Sequence, residues 1–398
     1  MKKRLLFYCQ HILGIGHLIR SMEIVKGLTS DFQICFINGG EVVHNYPIPD
    51  EIEVVNILPL KTDAEFSALQ VPPEVSSVEE AMKIRRNHLL RICDEFQPDV
   101  LMVELFPFGR RKFSPELVPL IESARFQGAT IVCSLRDIVV TKQDQERHEA
   151  KICTLMNRYF DLLLVHGDPK FMPLERSFSR TRDLDCPVYY TGYVVQGQSA
   201  QKRQEERQPT IPYPLVLVSV GGGRFGHELL DCVAHASKYL EERIPHHIQM
   251  FTGPFSPDHV FERMKAIATP RNNLSVQRYT PNLLQYMRYA DLSISMAGYN
   301  TTMNVLTTGV RSLLLPFTGN NDQEQTIRSQ RLEELGIVSV IRPEDLDPER
   351  FTQRVIDTLN QSPSPMLFDL DGVKHTAEVV KEFCDRPSLN LASLPGHS

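Results

Sequence analysis

Residues 290–302 read ADLSISMAGYNTT. Leu292–Ser295 has the length and composition of a buried strand, Gly298 lets the chain turn, and Asn300 and Thr301 are residue types that start helices. A helix running from there to about Thr308 leaves free backbone N–H groups at the strand's carboxyl end, where they can receive an anion. The same unit of strand, turn and helix recurs in both directions. Upstream lie Leu5–Cys9, Gln33–Ile37, Val100–Val103, Thr130–Ser134, Leu162–Val165, Leu215–Val220, Ile248–Phe251 and Leu274–Val276, and downstream Ser312–Leu315. Near-continuous apolar strands alternating with helices predict an α/β chain of parallel, doubly wound sheets. The polar, charged, proline-bearing stretch 196–213 has no apolar periodicity and reads as a linker. It separates an N-terminal α/β domain, 1–195, from a similar C-terminal one, 214–370, with a helix and tail over 371–398.

The composition agrees with a folded two-domain chain: 398 residues, 42% hydrophobic and 23% charged. A net charge of −6 argues against a chain-wide nucleic-acid footprint. No apolar run reaches the ~18 residues of a membrane span. The first apolar stretch is interrupted by Gln10 and His11, so it reads as a buried strand and not as a signal peptide. Eight cysteines without a C-x-x-C pair suggest reduced thiols, a cytoplasmic setting and no metal site.

In open parallel sheets ligands bind beyond the carboxyl ends of the strands. After the first strand, Gly14 and Gly16 allow a tight turn and place His17 at a helix start. A dinucleotide fingerprint needs a third glycine where Ile19 stands, which disfavours NAD. His17 is either a helix cap or a general base, kept neutral by the positive end of the helix. Arg20, one turn on, is a phosphate or carboxylate contact or a solvated helix residue. Glu104 closes the third strand, followed by Phe106, Phe108 and the cations Arg110–Lys112. Three readings of that loop stand: an acceptor-binding loop, a contact patch for an anionic membrane or a protein, and a solvated basic turn. Arg136 and Asp137 follow the fourth strand at the same sheet edge and are expected to line a cleft. In the second domain Gly222, Gly223 and Arg224 follow Leu215–Val220 as a phosphate-cradling loop. Glu324 and Gln325 suit sugar hydroxyls. A diphosphate site beside a polyol site describes a nucleotide-sugar pocket.

G-I-G-H-L-I-R, G-G-G after the linker, Tyr279-Thr280-Pro281, A-D-L-S-I-S-M-A-G-Y-N-T-T and E-Q-T-I-R-S-Q-R-L-E-E-L-G together resemble the MurG-type GT-B glycosyltransferases over nearly the whole chain. The first motif is also similar to the sugar-nucleotide hydrolase PseG. The resemblance implies a GT-B fold, two Rossmann-like domains facing a central cleft. It makes His17 the candidate for base or diphosphate contact and places a nucleobase against the backbone at Tyr279 and Thr280. It also brings the diphosphate to Gly298, Asn300 and Thr301, and donor hydroxyls to Glu324 and Gln325. Asn304 departs from the family, whose relatives usually carry a ribose-binding glutamate there.

The expected reaction is inverting and metal-independent transfer from a nucleotide-diphosphate sugar, most simply a UDP-sugar, to an acceptor hydroxyl, with no cofactor. His17 is the first candidate base, with Glu104 and Asp137 in reserve. Gly14, Gly16, Arg20, Phe106, Arg110 and Arg136 form the acceptor side. Two alternatives are a hydrolase using water as acceptor and, motivated by Asn304, a protein that binds nucleotide without turnover.

Overall fold

The computed structural model describes residues 2–11, 16–43, 47–62, 69–139, 144–196, 214–319, 323–362 and 368–385. The expected linker beyond Gln196, the tail beyond Asp385 and Gly14 lie outside them.

The strands in chain order are β1 (Lys3–Cys9), β2 (Phe32–Asn38), β3 (Ile52–Asn56), a short antiparallel pair β4 (Lys61–Thr62) and β5 (Leu69–Gln70), β6 (Val100–Glu104), β7 (Thr130–Arg136), β8 (Leu162–His166) and β9 (Val188–Tyr190). They continue as β10 (Leu215–Ser219), β11 (His247–Phe251), β12 (Leu274–Gln277), β13 (Leu292–Met296), β14 (Arg311–Leu315) and β15 (Ser339–Val340). Two parallel sheets result, ordered β3-β2-β1-β6-β7-β8-β9 and β12-β11-β10-β13-β14-β15. The strands β6, β8, β10 and β13 are buried along their whole length, which is why they read as largely apolar runs, broken in β13 only by the small residues Ser293 and Ser295 and closed in the other three by a polar residue. The short or edge strands β3, β9 and β15 and the β4–β5 pair were not expected from the sequence. Ile52–Asn56 carries the exposed Glu53 and Asn56, and β9 and β15 are only three and two residues long.

The helices are α1 (Gly16–Leu28), α2 (Val78–Phe96), α3 (Ser114–Phe126) and α4 (Gln145–Tyr159) in the first lobe. In the second they are α5 (His227–Glu241), α6 (Asp258–Ala268), α7 (Leu283–Tyr289), α8 (Tyr299–Thr308), α9 (Glu324–Glu334) and α10 (Pro348–Leu359), followed by α11 (Gly372–Asp385). Helix α11 returns to the first lobe and packs on α1, burying Val380 in the same cluster as Leu18, Met22 and Val25. The approach is close: a Cβ on Gly27 would meet Val373 Cγ1 at 2.2 Å.

Strand order reverses next to β1 in the first sheet and next to β10 in the second, so the switch points lie between β1 and β6 and between β10 and β13. The loops leaving those four strands carry His17, Glu104, Gly221–Gly226 and Gly298. An apolar cluster shared by Ile138, Phe171 and Tyr193 of the first lobe with Tyr299, Met303 and Leu332 of the second turns these edges toward each other.

Candidate active site

Helix α1 begins at Gly16, so His17 sits in its first turn beside the end of β6. Its Nδ1 lies 2.7 Å from Glu104 Oε1. An ionised carboxylate only accepts, so Nδ1 carries the proton and Nε2 keeps the lone pair. Arg20, one turn along and nearly buried, donates to the same Glu104 oxygen. Burial, with the guanidinium groups of Arg110 and Arg136, holds the imidazole well below its usual range, against the pull of Glu104. Burial would raise the Glu104 carboxyl, but His17, Arg20 and Arg110 outweigh it and keep it ionised. The pair is a neutral imidazole oriented by a carboxylate.

The second lobe meets this pair through helix α8. Asn300 Nδ2 donates to Gly16 O at 3.0 Å, so the N-termini of α8 and α1 face each other. Tyr299 donates its hydroxyl to His166 O at 3.1 Å, and two guanidinium groups approach its ring, Arg20 at 5.4 Å and Arg328 at 5.3 Å from the centroid. Arg328 grips Asp137 with two hydrogen bonds of 2.9 and 2.6 Å and donates to Glu324 at 2.8 Å. Arg136 pairs with the other Glu324 oxygen at 2.7 Å. Burial disfavours the charged Glu324, yet Arg136 and Arg328 hold its carboxyl below the usual range.

His17, Arg20, Glu104, Arg136, Asp137, Asn300 and Glu324 are thus joined at one cleft. Arg110 borders it, with Nε donating to Gln10 O at 2.8 Å. Two expectations need correction. Phe106 is fully buried and packs on Phe160, and Leu105 and Phe108 are buried with it, so this apolar cluster serves the core and presents no surface to an acceptor or a membrane. Asp137 has both oxygens committed to Arg328, so it holds the lobes and is unsuited to act as a base.

The remaining donor-side candidates lie in the second lobe. Gly223 has φ 85°, and a Cβ there would meet Thr252 O at 2.4 Å, so the loop is built for glycine. Gly222 O accepts from Phe255 N at 2.9 Å. Arg224 stacks on Phe255 and pairs with Glu41 of the first lobe at 3.2 Å, a half-exposed pair of small energetic weight. Gln325 accepts from Phe317 N, Thr280 accepts from Asn282 N, and Tyr279 is exposed. Gly298 caps α8, and Thr301 is half-buried in its first turn. Asn304 is nearly buried, with Nδ2 3.4 Å from Gln196 Oε1. Tyr299, His166 and Arg328 were given no role from the sequence. The i,i+4 spacing of Glu324 and Arg328 is the one local signal that pointed to the last.

Residues 216–369 match the Glycosyltransferase family 28 C-terminal domain. The chain is similar to the UDP-N-acetylglucosamine–N-acetylmuramyl-(pentapeptide) pyrophosphoryl-undecaprenol N-acetylglucosamine transferase of Caldanaerobacter subterraneus, with 26% identity over 183 residues, 44% of this chain and 49% of that relative. Against the protein of the same name from Thermoanaerobacter sp. it shows 21% identity over 353 residues, 85% and 87% of the two chains. The chain spans about half the length of the first curated relatives it matches. Among solved structures, MurG of Acinetobacter baumannii superposes with a TM-score of 0.56 at 17% identity, covering 96% of this chain and 99% of that one. TcCGT1 in complex with UDP superposes with a TM-score of 0.60 at 14% identity, covering 96% and 99%. The chain is therefore a two-lobed protein of the GT-B fold whose second lobe matches a glycosyltransferase family 28 C-terminal domain. Within that class the chain is similar to MurG-type glycosyltransferases.

Proposed function

We propose that the protein transfers a sugar from a nucleotide-diphosphate donor, a UDP-sugar, to an acceptor hydroxyl with inversion at the anomeric carbon. The observation that carries this is the His17–Glu104 pair facing the N-terminus of α8 across the cleft. His17 Nε2 takes the acceptor proton as the hydroxyl oxygen attacks the anomeric carbon. The bond from that carbon to the diphosphate oxygen breaks on the opposite face, and its electron pair leaves with the nucleotide. Glu104 fixes the tautomer and stabilises the imidazolium that forms.

Charge supports the leaving group. Arg20, Arg110 and Arg136 face Glu104 and Glu324, leaving one excess positive charge with His17 neutral, while Arg328 and Asp137 cancel each other. Two helix N-termini add about half a charge each, together close to what a sugar-nucleotide diphosphate carries. Buried Arg20 Nε and Arg136 Nε have no hydrogen-bond partner among the described residues and are suited to ligand oxygens. These donors serve the diphosphate without calling on a metal ion. The similarity to a UDP-bound GT-B structure supports the nucleotide.

The test is incubation with UDP-sugars and a panel of hydroxyl acceptors, with proton NMR of the anomeric centre. Acceptor-dependent product of inverted configuration is expected. Sugar release at the same rate without acceptor identifies a hydrolase, and nucleotide binding without turnover identifies a binding protein. Retained configuration overturns the single-displacement mechanism.

A further inference from the structure

Four buried charges straddle the cleft in an order that a simple surface contact would not need. The first lobe supplies Arg136 and Asp137, adjacent at the end of β7. The second supplies Glu324 and Arg328, one turn apart on α9. Each lobe therefore presents one positive and one negative group, and the two pairs meet head to tail: Arg136 on Glu324 at 2.7 Å, Arg328 on Asp137 at 2.6 and 2.9 Å. Asp137, Glu324 and Arg328 are buried, and Arg136 is largely so. Sliding one lobe along the other by the spacing of the two groups would set like charge against like in low dielectric, where repulsion is strong. The arrangement thus tolerates one alignment of the lobes. It is tightened by the geometry of Arg328, a planar fork on a carboxylate, and by the Tyr299 ring it covers.

We infer that Arg328, through Asp137, is a positioning residue that locks the two lobes in register and holds Glu324 and the N-terminus of α8 against His17. The inference rests on the proposed transfer reaction for its catalytic consequence but not for its structural one. Arg328 touches neither His17 nor Glu104 in the hydrogen bonds of the described residues, so it acts on the reaction through alignment.

The test compares the parent protein with Arg328→Lys, Asp137→Asn and the double variant Asp137→Leu with Arg328→Met. The double variant leaves neither partner of the cross-lobe pair as an unpaired buried charge, so it keeps the test open if a single variant fails to fold. Three readouts are taken on each folded protein: radius of gyration without ligand by small-angle scattering, UDP affinity by calorimetry, and turnover of a UDP-sugar. The expected result is a larger radius and turnover reduced about a hundredfold, as misplacing groups by about an ångström costs. UDP affinity should fall at least about tenfold less than turnover, because the lock aligns the reacting groups and is not itself a nucleotide contact. An unchanged radius with unchanged turnover overturns the inference. So does a loss of UDP affinity equal to the loss of turnover, which would make Arg328 a ligand contact. If the parent turns over no UDP-sugar, the proposed function fails, and the radius alone decides the lock.

Discussion

Replacing Glu104 by glutamine removes one charge and little volume from beneath His17. Nδ1 and Oε1 are 2.7 Å apart in the structure. When Nε2 takes the acceptor proton, the imidazolium faces this carboxylate, and a pair of unit charges at about 4 Å in an effective dielectric of about 20 attracts by about 4 kcal/mol. The glutamine amide oxygen still accepts from Nδ1–H, so the tautomer survives while most of the charge stabilisation is lost. At about 1.4 kcal/mol per factor of ten, Glu104→Gln should lower kcat about 100- to 1,000-fold. The KM for donor should change little, because the lost interaction forms only as the proton moves. The assay is release of nucleoside diphosphate in the presence of acceptor, with a thermal melt as control because Arg20 also loses its partner. His17→Ala should fall to a similar level, and the double variant should be no worse than the weaker single one. Retention of a third of the parent rate by Glu104→Gln, or fully multiplicative losses in the double variant, would refute the paired-base reasoning.

Burial, with Arg110 and Arg136, holds the His17 imidazole below its ordinary value, so the base stays unprotonated as pH falls. The pH profile of kcat/KM should therefore be flat from about pH 8 to about pH 6, where an ordinary imidazole of pKa about 6.5 would give a falling limb. Gly223→Ala places a Cβ 2.4 Å from Thr252 O and strains a residue at φ 85°; it should weaken UDP binding at least about tenfold in calorimetry, a loss of about 1.4 kcal/mol. Gly27→Ala drives a methyl into Val373 and should destabilise the fold by about 1–3 kcal/mol in denaturant melts. Val373→Ala in the same chain should recover part of that loss.

The glycine turns after β10 and β13 were legible because each follows a buried strand and opens a helix, a pattern contained within about ten consecutive residues. His17, Arg136, Asn300 and Glu324 were picked out by the same reading, since each stands at a strand's end or a helix start. Arg328 was not singled out: its partner Asp137 is 191 residues away, and no local spacing announces a contact across two lobes. Asp137 was picked out for the right edge and the wrong task, because its bidentate partner is decided by tertiary structure. Phe106 misled for a related reason. Aromatics beside Arg110–Lys112 look like a binding loop, while the chain turns Leu105, Phe106 and Phe108 inward and leaves the cations at the rim. Edge strands such as Val188–Tyr190 are too short to carry a periodic signal.

A uridine-diphosphate sugar bound between the lobes should register in the thermal unfolding of the protein against a panel of UDP, GDP, ADP, TDP and their sugars. UDP or a UDP-sugar at a hundredfold excess over its dissociation constant should stabilise the folded state by about 2.7 kcal/mol, with the other nucleotides giving less. A melting transition unmoved by every nucleotide would contradict the account.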